Sequence, residues 1–454
     1  MLFENVLDLI GNTPMIELRY LNTGKCQLFA KLEFMNPGGS IKDRIAYSMV
    51  LGAEKSGKLK PGATLVEATA GNTGLGLALL AIQRGYKLLV VMPDKMSKEK
   101  VFNLKAMGAT VVMTRSDVGK GDPEYYQDKA MAIADSMENA FYVNQFSNQD
   151  NVAAHYNTTA PEIWDQLQGK VDAVVCGVGT GGTITGIGRF MKEKNPEIEM
   201  VLADPEGSVL ADFIKTGQVG EAGSWLVEGI GEDFVPEICN LELVSHAYTI
   251  SDETAFSAAR ELLQKEGLMV GSSSGTLLGA ALEYCRQQES PKRVVTLFPD
   301  SGTKYLSKMY NEDWMYDKGF VTRRRFGDLR DLILHRHNQK ETSFVSPADT
   351  LFSALQQMKD NDYTQLPVLD GKKLVGIIDE SDILLHVYNR PERFEEPVHQ
   401  AMTATLELIN YKEPASKLMP IFEKDHVAIV MDGDEFLGII SRIDLINYIR
   451  KVVS

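Results

Sequence analysis

Between Leu28 and about residue 300, short apolar runs alternate with longer stretches whose apolar residues recur at helical spacing. The runs are "KLLVVM" at 87–92, "VDAVVC" at 171–176, "EMVLAD" at 199–204 and "RVVTLF" at 293–298. Runs with so little polar interruption belong to strands buried on both faces, as in parallel sheets covered by helices. One intervening stretch, Gly74 to Gly85, "GLGLALLAIQRG", spaces its leucines and alanines helically and closes on a glycine, which predicts a helix with a glycine C-cap. This part of the chain therefore reads as α/β, strands joined by crossover helices.

After "WMYDKGFVTRRRFGDLRDLILHRHNQKE" the pattern changes. "YTQLPVLDGKKLVGIIDESDIL" begins at Tyr363 and "DHVAIVMDGDEFLGIISRIDLI" at Asp425, an offset of 425 − 363 = 62 residues that aligns Asp370 with Asp432, Gly376 with Gly438 and Asp382 with Asp444. Each segment follows an amphipathic stretch (Leu351, Leu355, Met358; then Ala415, Leu418, Ile421), giving helix, strand, strand, helix twice. One such copy buries too little surface alone, so the two are expected to pack together. The boundary falls near residues 320 to 340.

Composition narrows the possibilities. A chain of 454 residues exceeds one ordinary core, and 44% hydrophobic with 24% charged residues suits a folded, water-soluble protein. With 47 basic and 62 acidic side chains the net charge is 47 − 62 = −15, which opposes nucleic acid and anionic membrane surfaces as partners. The one tight basic run, Arg323 to Arg325, reads as a solvated linker face. Cys26, Cys176, Cys239 and Cys285 lie far apart with no CxxC pair, which suits a reducing compartment. The start "MLFENVLDLI" lacks the positive charge of a signal peptide, and no apolar run approaches the ~20 residues of a membrane span, so a cytoplasmic protein is expected.

Chemistry concentrates in four turns. In "NPGGSIKDR" a glycine pair and Ser40 stand directly before Lys42 and a helix, where free amides and close backbone approach make a ligand site around an amine. "EATAGNTGLGLAL" is a second polar turn entering a helix, and its amides with Thr69, Asn72 and Thr73 suit a carboxylate or phosphate, although helix capping explains each hydroxyl singly. "VCGVGTGGTITGIG" puts six glycines after a strand. It is either a phosphate cradle or, through Gly177, Gly179, Gly182 and the later Asp204, a dinucleotide loop. "GSSSGTLLGA" offers hydroxyls before a fourth helix, or simply a tight packing turn. A nicotinamide dehydrogenase has no use for Lys42, whereas an enzyme of pyridoxal phosphate uses all four turns: a lysine for the Schiff base, a glycine loop for phosphate, a helix start for the substrate carboxylate and a hydroxyl for the ring nitrogen.

Taken in order, "IGNTPMIEL", "NPGGSIKDR", "EATAGNTG", "HYNTTAPEI", "GVGTGGTITGIGR", "ADPEGSVL", "VEGIGEDFVP" and "LFPDSGTKYLSKM" resemble the cystathionine β-synthase family, within the fold type II pyridoxal phosphate enzymes that also include cysteine synthase. The resemblance runs from about Asn5 to Gly319, and the tail resembles the tandem CBS-domain pair, or Bateman module, named after that family. It implies a tryptophan synthase β-like catalytic domain over residues 1–319, made of two parallel-sheet three-layer subdomains. A linker over 320–341 and an α+β CBS pair over 342–454 follow. It further implies a homodimer or higher homo-oligomer.

Residue by residue, the resemblance implies Lys42 as the Schiff-base lysine and Asn72 as partner of the ring 3′-oxygen. Gly179, Thr180, Gly181, Gly182 and Thr183 become the phosphate loop, Ser273 faces the ring nitrogen, and Thr69, Ala70, Gly71 and Thr73 grip the amino-acid carboxylate. A neutral serine at the ring nitrogen leaves the ring a weaker electron sink and favours expulsion of a β-substituent. The implied reaction condenses L-serine with L-homocysteine to L-cystathionine and water, with hydrogen sulfide release from cysteine as an accompanying outcome. An O-acetylserine-dependent enzyme, a cysteine synthase and a non-enzymatic adenosyl-ligand sensor stand as alternatives.

Three departures from the family pattern matter. "GNTPMIEL" begins at Gly11, which leaves no room for the haem segment of animal members, so no haem is expected. Ala70 replaces a common serine and Glu232 replaces the tyrosine of the animal "GIGYDF" loop, both where substrates are sorted. In the tail, the SxxD motif that meets the ribose of adenosyl ligands is present as Ser441 and Asp444, while the first repeat reads Asp379 and Asp382. One site for S-adenosylmethionine or another adenine nucleotide is expected there, unless the pair serves only assembly.

Overall fold

The computed structural model describes residues 2–453 except Ala70, 323–325, 334–342 and Asp362, with side chains as far as Ile449. Two compact units divide the chain, Met1–Met315 and Tyr316–Ser454.

In the first unit every apolar run is a strand. A six-stranded sheet runs, in spatial order, Met15–Glu17, Gln27–Lys31, Arg293–Leu297, Ala173–Gly177, Glu199–Pro205 and Val244–Ile250. All pairs are parallel except the first, and the strand latest in sequence sits in the interior. A four-stranded, wholly parallel sheet runs Thr110–Thr114, Lys87–Pro93, Thr64–Ala68 and Ala140–Tyr142. Thr64–Ala68 is buried along its whole length, Glu67 included, as a strand covered on both faces must be.

Helices fill the crossovers. Asn72–Arg84 ends on Gly85 in the left-handed conformation, φ 73°. It lies close against Lys42–Lys55: a Cβ on Gly76 would stand 2.9 Å from that of Ala46. Three of the four polar turns follow the carboxyl ends of Gln27–Lys31, Thr64–Ala68 and Ala173–Gly177, the edge at which parallel α/β sheets bind ligands, and the fourth, with Ser273, follows the helix Asp252–Glu266.

The tail unit repeats itself at the 62-residue offset. Gln365–Asp370 pairs antiparallel with Lys373–Asp379, and Ala428–Asp432 with Glu435–Ile440. Both hairpins shift register at equivalent places, Val368/Leu369 and Val430/Met431, and the helices Glu380–Val387 and Arg442–Val453 follow. Leu369, Ile429 and Phe436 pack in one cluster with Ile377 and Ile439, so the copies share a core. The first amphipathic stretch is the helix Leu351–Asn361. The second is not one regular helix but a 3-10 turn, Ala415–Leu418, followed by the short helix Met419–Phe422, because Pro420 supplies no amide to continue the ladder.

Candidate active site

Lys42 is the first residue of its helix, and Gly38, Gly39 and Ser40 fold beneath it. Its own amide is held by Ser40 Oγ at 3.2 Å, and the amide of Gly38 by Asp43 Oδ2 at 2.5 Å. Two residues on, buried Arg44 donates to Glu33 Oε2 at 2.7 Å and Glu162 Oε1 at 2.6 Å, anchoring the helix to the 3-10 turn Glu33–Met35 and to the helix Ala160–Gln166. Burial pulls the Lys42 ammonium down to about 8, against the carboxylates of Asp300 and Glu232.

A cavity of about 440 Å³ opens over this lysine. Lys42, Thr69, Asn72, Thr73, Gly179 and Thr180 line it, and a narrower one beyond shares Lys42 and Asn72 and adds Gly181, Thr183 and Ser273. Nine of the residues expected at the site thus converge on adjoining spaces. Gly71 and Gly182 stand behind the lining, and Ala70 lies outside the described residues.

The glycine loop is a cradle that side chains would fill. A Cβ on Gly181, where φ is +88°, would lie 2.3 Å from Cys239 Cβ; one on Gly179 would lie 2.6 Å from the Gly229 carbonyl; one on Gly182, 2.0 Å from Asn151 Oδ1. The loop enters the helix Gly182–Lys194, whose first amides have no partner within the helix. Asn151 Nδ2 donates to Thr180 Oγ1 at 2.9 Å, and His155 Nε2 contacts Thr183 Oγ1 at 3.1 Å. His155 stands on a π-helical turn, His155–Thr159, and burial first, then Lys42 and Arg44, hold its ring neutral far below the usual histidine range. Free amides, two hydroxyls and a lining from which Cβ atoms are excluded fit the phosphate of pyridoxal phosphate, with Lys42 across the space as the amine. The dinucleotide alternative loses its acid: buried Asp204 spends Oδ2 on the amide of Ala211, at the start of the helix Leu210–Thr216.

Gln145 escaped the sequence reading. It lines the cavity, accepts from Thr73 Oγ1 at 2.7 Å and donates to the Ala68 carbonyl at 2.9 Å, joining the two ends of the turn that carries Thr69, Gly71 and Thr73. Glu232 also faces the cavity; burial, then Asp233, pushes its carboxyl well above the usual range. Beside them, buried Lys100 donates to Glu228 Oε2 at 2.8 Å, and its stem covers Gly71, where a Cβ would lie 2.8 Å from Lys100 Cδ. In the sequence Glu232 stands out as a departure from the family loop and Glu228 shares its motif without a role of its own, whereas Gln145 and Lys100 lie in no motif.

Ser441 and Asp444 belong to the tail unit. The Ser441 amide and hydroxyl both donate to Asp444 Oδ2, at 2.7 and 2.6 Å, beside the helix Arg442–Val453. Asp379 and Asp382 form the matching capping box of the first repeat.

A family model described as pyridoxal-phosphate dependent enzyme matches residues 6–300, and CBS domain models match 338–389 and 398–451. The chain is 36% identical over 465 aligned positions to the cystathionine β-synthase of Dictyostelium discoideum, covering 99% of this chain and 93% of that one. The O-acetylserine dependent cystathionine β-synthase of Bacillus subtilis is 41% identical over 310 positions, 68% of this chain and 97% of that one. The crystal structure of the O-acetylserine dependent cystathionine β-synthase of Helicobacter pylori superposes with a TM-score of 0.62 at 39% identity, covering 68% of this chain and 98% of that one.

Proposed function

The chain belongs to the cystathionine β-synthase family of pyridoxal-phosphate dependent enzymes, and from that premise we propose that it replaces the β-hydroxyl of L-serine with the thiol of L-homocysteine, giving L-cystathionine and water. The observation that carries this reading is the convergence of Lys42, Asn72, the glycine loop and Ser273 on adjoining cavities. Bound pyridoxal phosphate supplies the electron sink that lets an amino acid lose its Cα proton and its β-substituent.

The chain's own residues do the rest. Lys42 would hold the cofactor through its amine, and the same amine is placed to take the substrate's Cα proton and to give it back; an amine brought down to about 8 would serve both directions near neutrality. Gly179, Thr180, Gly181, Gly182 and Thr183 would hold the phosphate, and Asn72 the ring oxygen. Ser273, which lines the narrower cavity, would offer the ring nitrogen a neutral hydroxyl that leaves it uncharged. Thr69, Gly71 and Thr73, with Ala70 in the same turn, orient the substrate carboxylate, and Gln145 braces Thr73.

A second reading, with O-acetylserine as donor, is favoured by Glu232, which puts an acid into the cavity where animal members have tyrosine. Cystathionine formation from homocysteine, measured with serine and with O-acetylserine in parallel, separates the two. Turnover of serine establishes the first reading, and product from O-acetylserine alone moves the enzyme to the second.

For the tail we propose one adenosyl ligand, S-adenosylmethionine or another adenine nucleotide, at Ser441 and Asp444, and for the whole chain a homodimer or larger homo-oligomer. Melting temperature rising with S-adenosylmethionine, and not in a Ser441→Ala variant, is the expected sign of the ligand.

A further inference from the structure

Asn72 is the residue whose amide has been given the ring oxygen of the cofactor, and an amide side chain has two faces, one donating and one accepting. Its surroundings leave no choice between them. Lys304 Nζ donates to Asn72 Oδ1 at 2.9 Å, while Asn72 Nδ2 donates to Asp300 Oδ2 at 2.7 Å. An ammonium has only donors and an ionised carboxylate only acceptors, so the reversed amide would set NH₂ against NH₃⁺ and carbonyl against carboxylate. With one Nδ2 hydrogen on Asp300, the other remains for the cavity that Asn72 lines beside Lys42.

Both partners are themselves held. Lys304 is 5% exposed and donates as well to the carbonyls of Gly38 and Gly39, each at 3.1 Å, so its three hydrogens meet three oxygens. Asp300 is 1% exposed and its Oδ2 also accepts from Tyr305 OH at 2.8 Å; Lys100 donates to that phenol at 3.0 Å. One ammonium therefore ties the turn in front of Lys42 to the amide across the cavity from it.

We infer that Lys304 and Asp300 are positioning residues that lock Asn72 as a hydrogen-bond donor to the ring oxygen of the cofactor, with Lys304 fixing the Lys42 turn in the same frame. This rests on the reading of Lys42 as the cofactor lysine. Without Lys304 the amide is free to turn its carbonyl toward an anionic oxygen, which favours the protonated form of that oxygen and loosens the cofactor.

The test compares Lys304→Met, Asn72→Ala and the double variant with the unsubstituted protein, each loaded with pyridoxal phosphate. Two quantities are read: the ratio of the two absorbance bands that report the ring oxygen deprotonated and protonated, and the cofactor dissociation constant. Lys304→Met is expected to shift both toward the protonated, weaker-binding form by roughly tenfold, the scale of one hydrogen bond to a charged group. In the Asn72→Ala background the same substitution is expected to leave the band ratio where it was. An equal shift in both backgrounds would mean that Lys304 acts only through the glycine turn, and an unchanged ratio in Lys304→Met alone also overturns the inference. Lys304→Gln, which keeps an amide donor, is expected to restore part of the ratio and takes the place of the methionine variant if that chain does not fold. Absence of lysine-bound absorbance in the unsubstituted protein overturns the parent reading and, with it, this one.

Discussion

Lys42 is a buried amine whose environment disfavours its charge. Lys42→Ala is expected to abolish the visible absorbance of lysine-bound cofactor, and retention of that band in the purified variant would sink the assignment. Because only the neutral amine attacks an aldehyde, capture of pyridoxal phosphate by cofactor-free protein should speed up as pH rises toward about 8 and level off above it, measurable by stopped-flow absorbance. Glu232→Tyr is expected to move donor preference toward serine by roughly tenfold at unchanged cofactor absorbance, read as the ratio of the two kcat/KM values. Lys42 was legible because its context is local, five turn-forming residues in a row from Asn36 to Ser40. Gln145, Asp300 and Lys304 were not, since their partners Thr73 and Asn72 stand 72, 228 and 232 positions away. Gln145 stands in no motif, and the motif "LFPDSGTKYLSKM" that holds Asp300 and Lys304 does not say what their side chains meet.

At the scale of elements, the glycine loop before Gly182–Lys194 depends on backbone shape. Gly181→Ala forces a methyl group against Cys239 at a left-handed φ, and is expected to cost about 2 kcal/mol or more and to weaken cofactor binding; thermal melts and a cofactor titration check both. The strand Thr64–Ala68 carries a second constraint. Burial pushes the carboxyl of Glu67 up to about 8, and its Oε2 has no hydrogen-bond partner among the described residues. A carboxyl with its folded pKa above the unfolded value of 4.5 binds more protons in the folded state between those limits, so the protein loses stability as pH rises from about 4.5 to about 8. Glu67→Gln should remove that decline, seen as a melting-temperature difference that widens in its favour across the same interval. Unbroken apolar runs announced their strands because burial on both faces admits few polar residues. Met15–Glu17 and Ala140–Tyr142 span three residues each, too few for any period, and Pro420 broke a helix that spacing alone had joined.

At the scale of the whole molecule, the Bacillus subtilis relative aligns over nearly its full length with about two thirds of this chain. A chain ending at Gly319 is accordingly expected to retain lysine-bound absorbance and turnover while losing any response to adenosyl ligands, and loss of the cofactor band on truncation would contradict it. The doubled tail was legible from a 62-residue echo. The placement of Arg293–Leu297 was not, because nothing in an apolar run says which neighbours it will have. That placement governs how the protein is made. Gln27–Lys31 and Ala173–Gly177 emerge from the ribosome long before the strand that separates them. Until residue 297 has been synthesised the nascent chain carries two unpaired sheet edges, each a template for the wrong partner, and the pocket lacks Asp300 and Lys304 as well. The first unit thus completes its sheet only after its whole length has been translated, so premature termination before that strand yields an aggregation-prone fragment rather than a shortened enzyme.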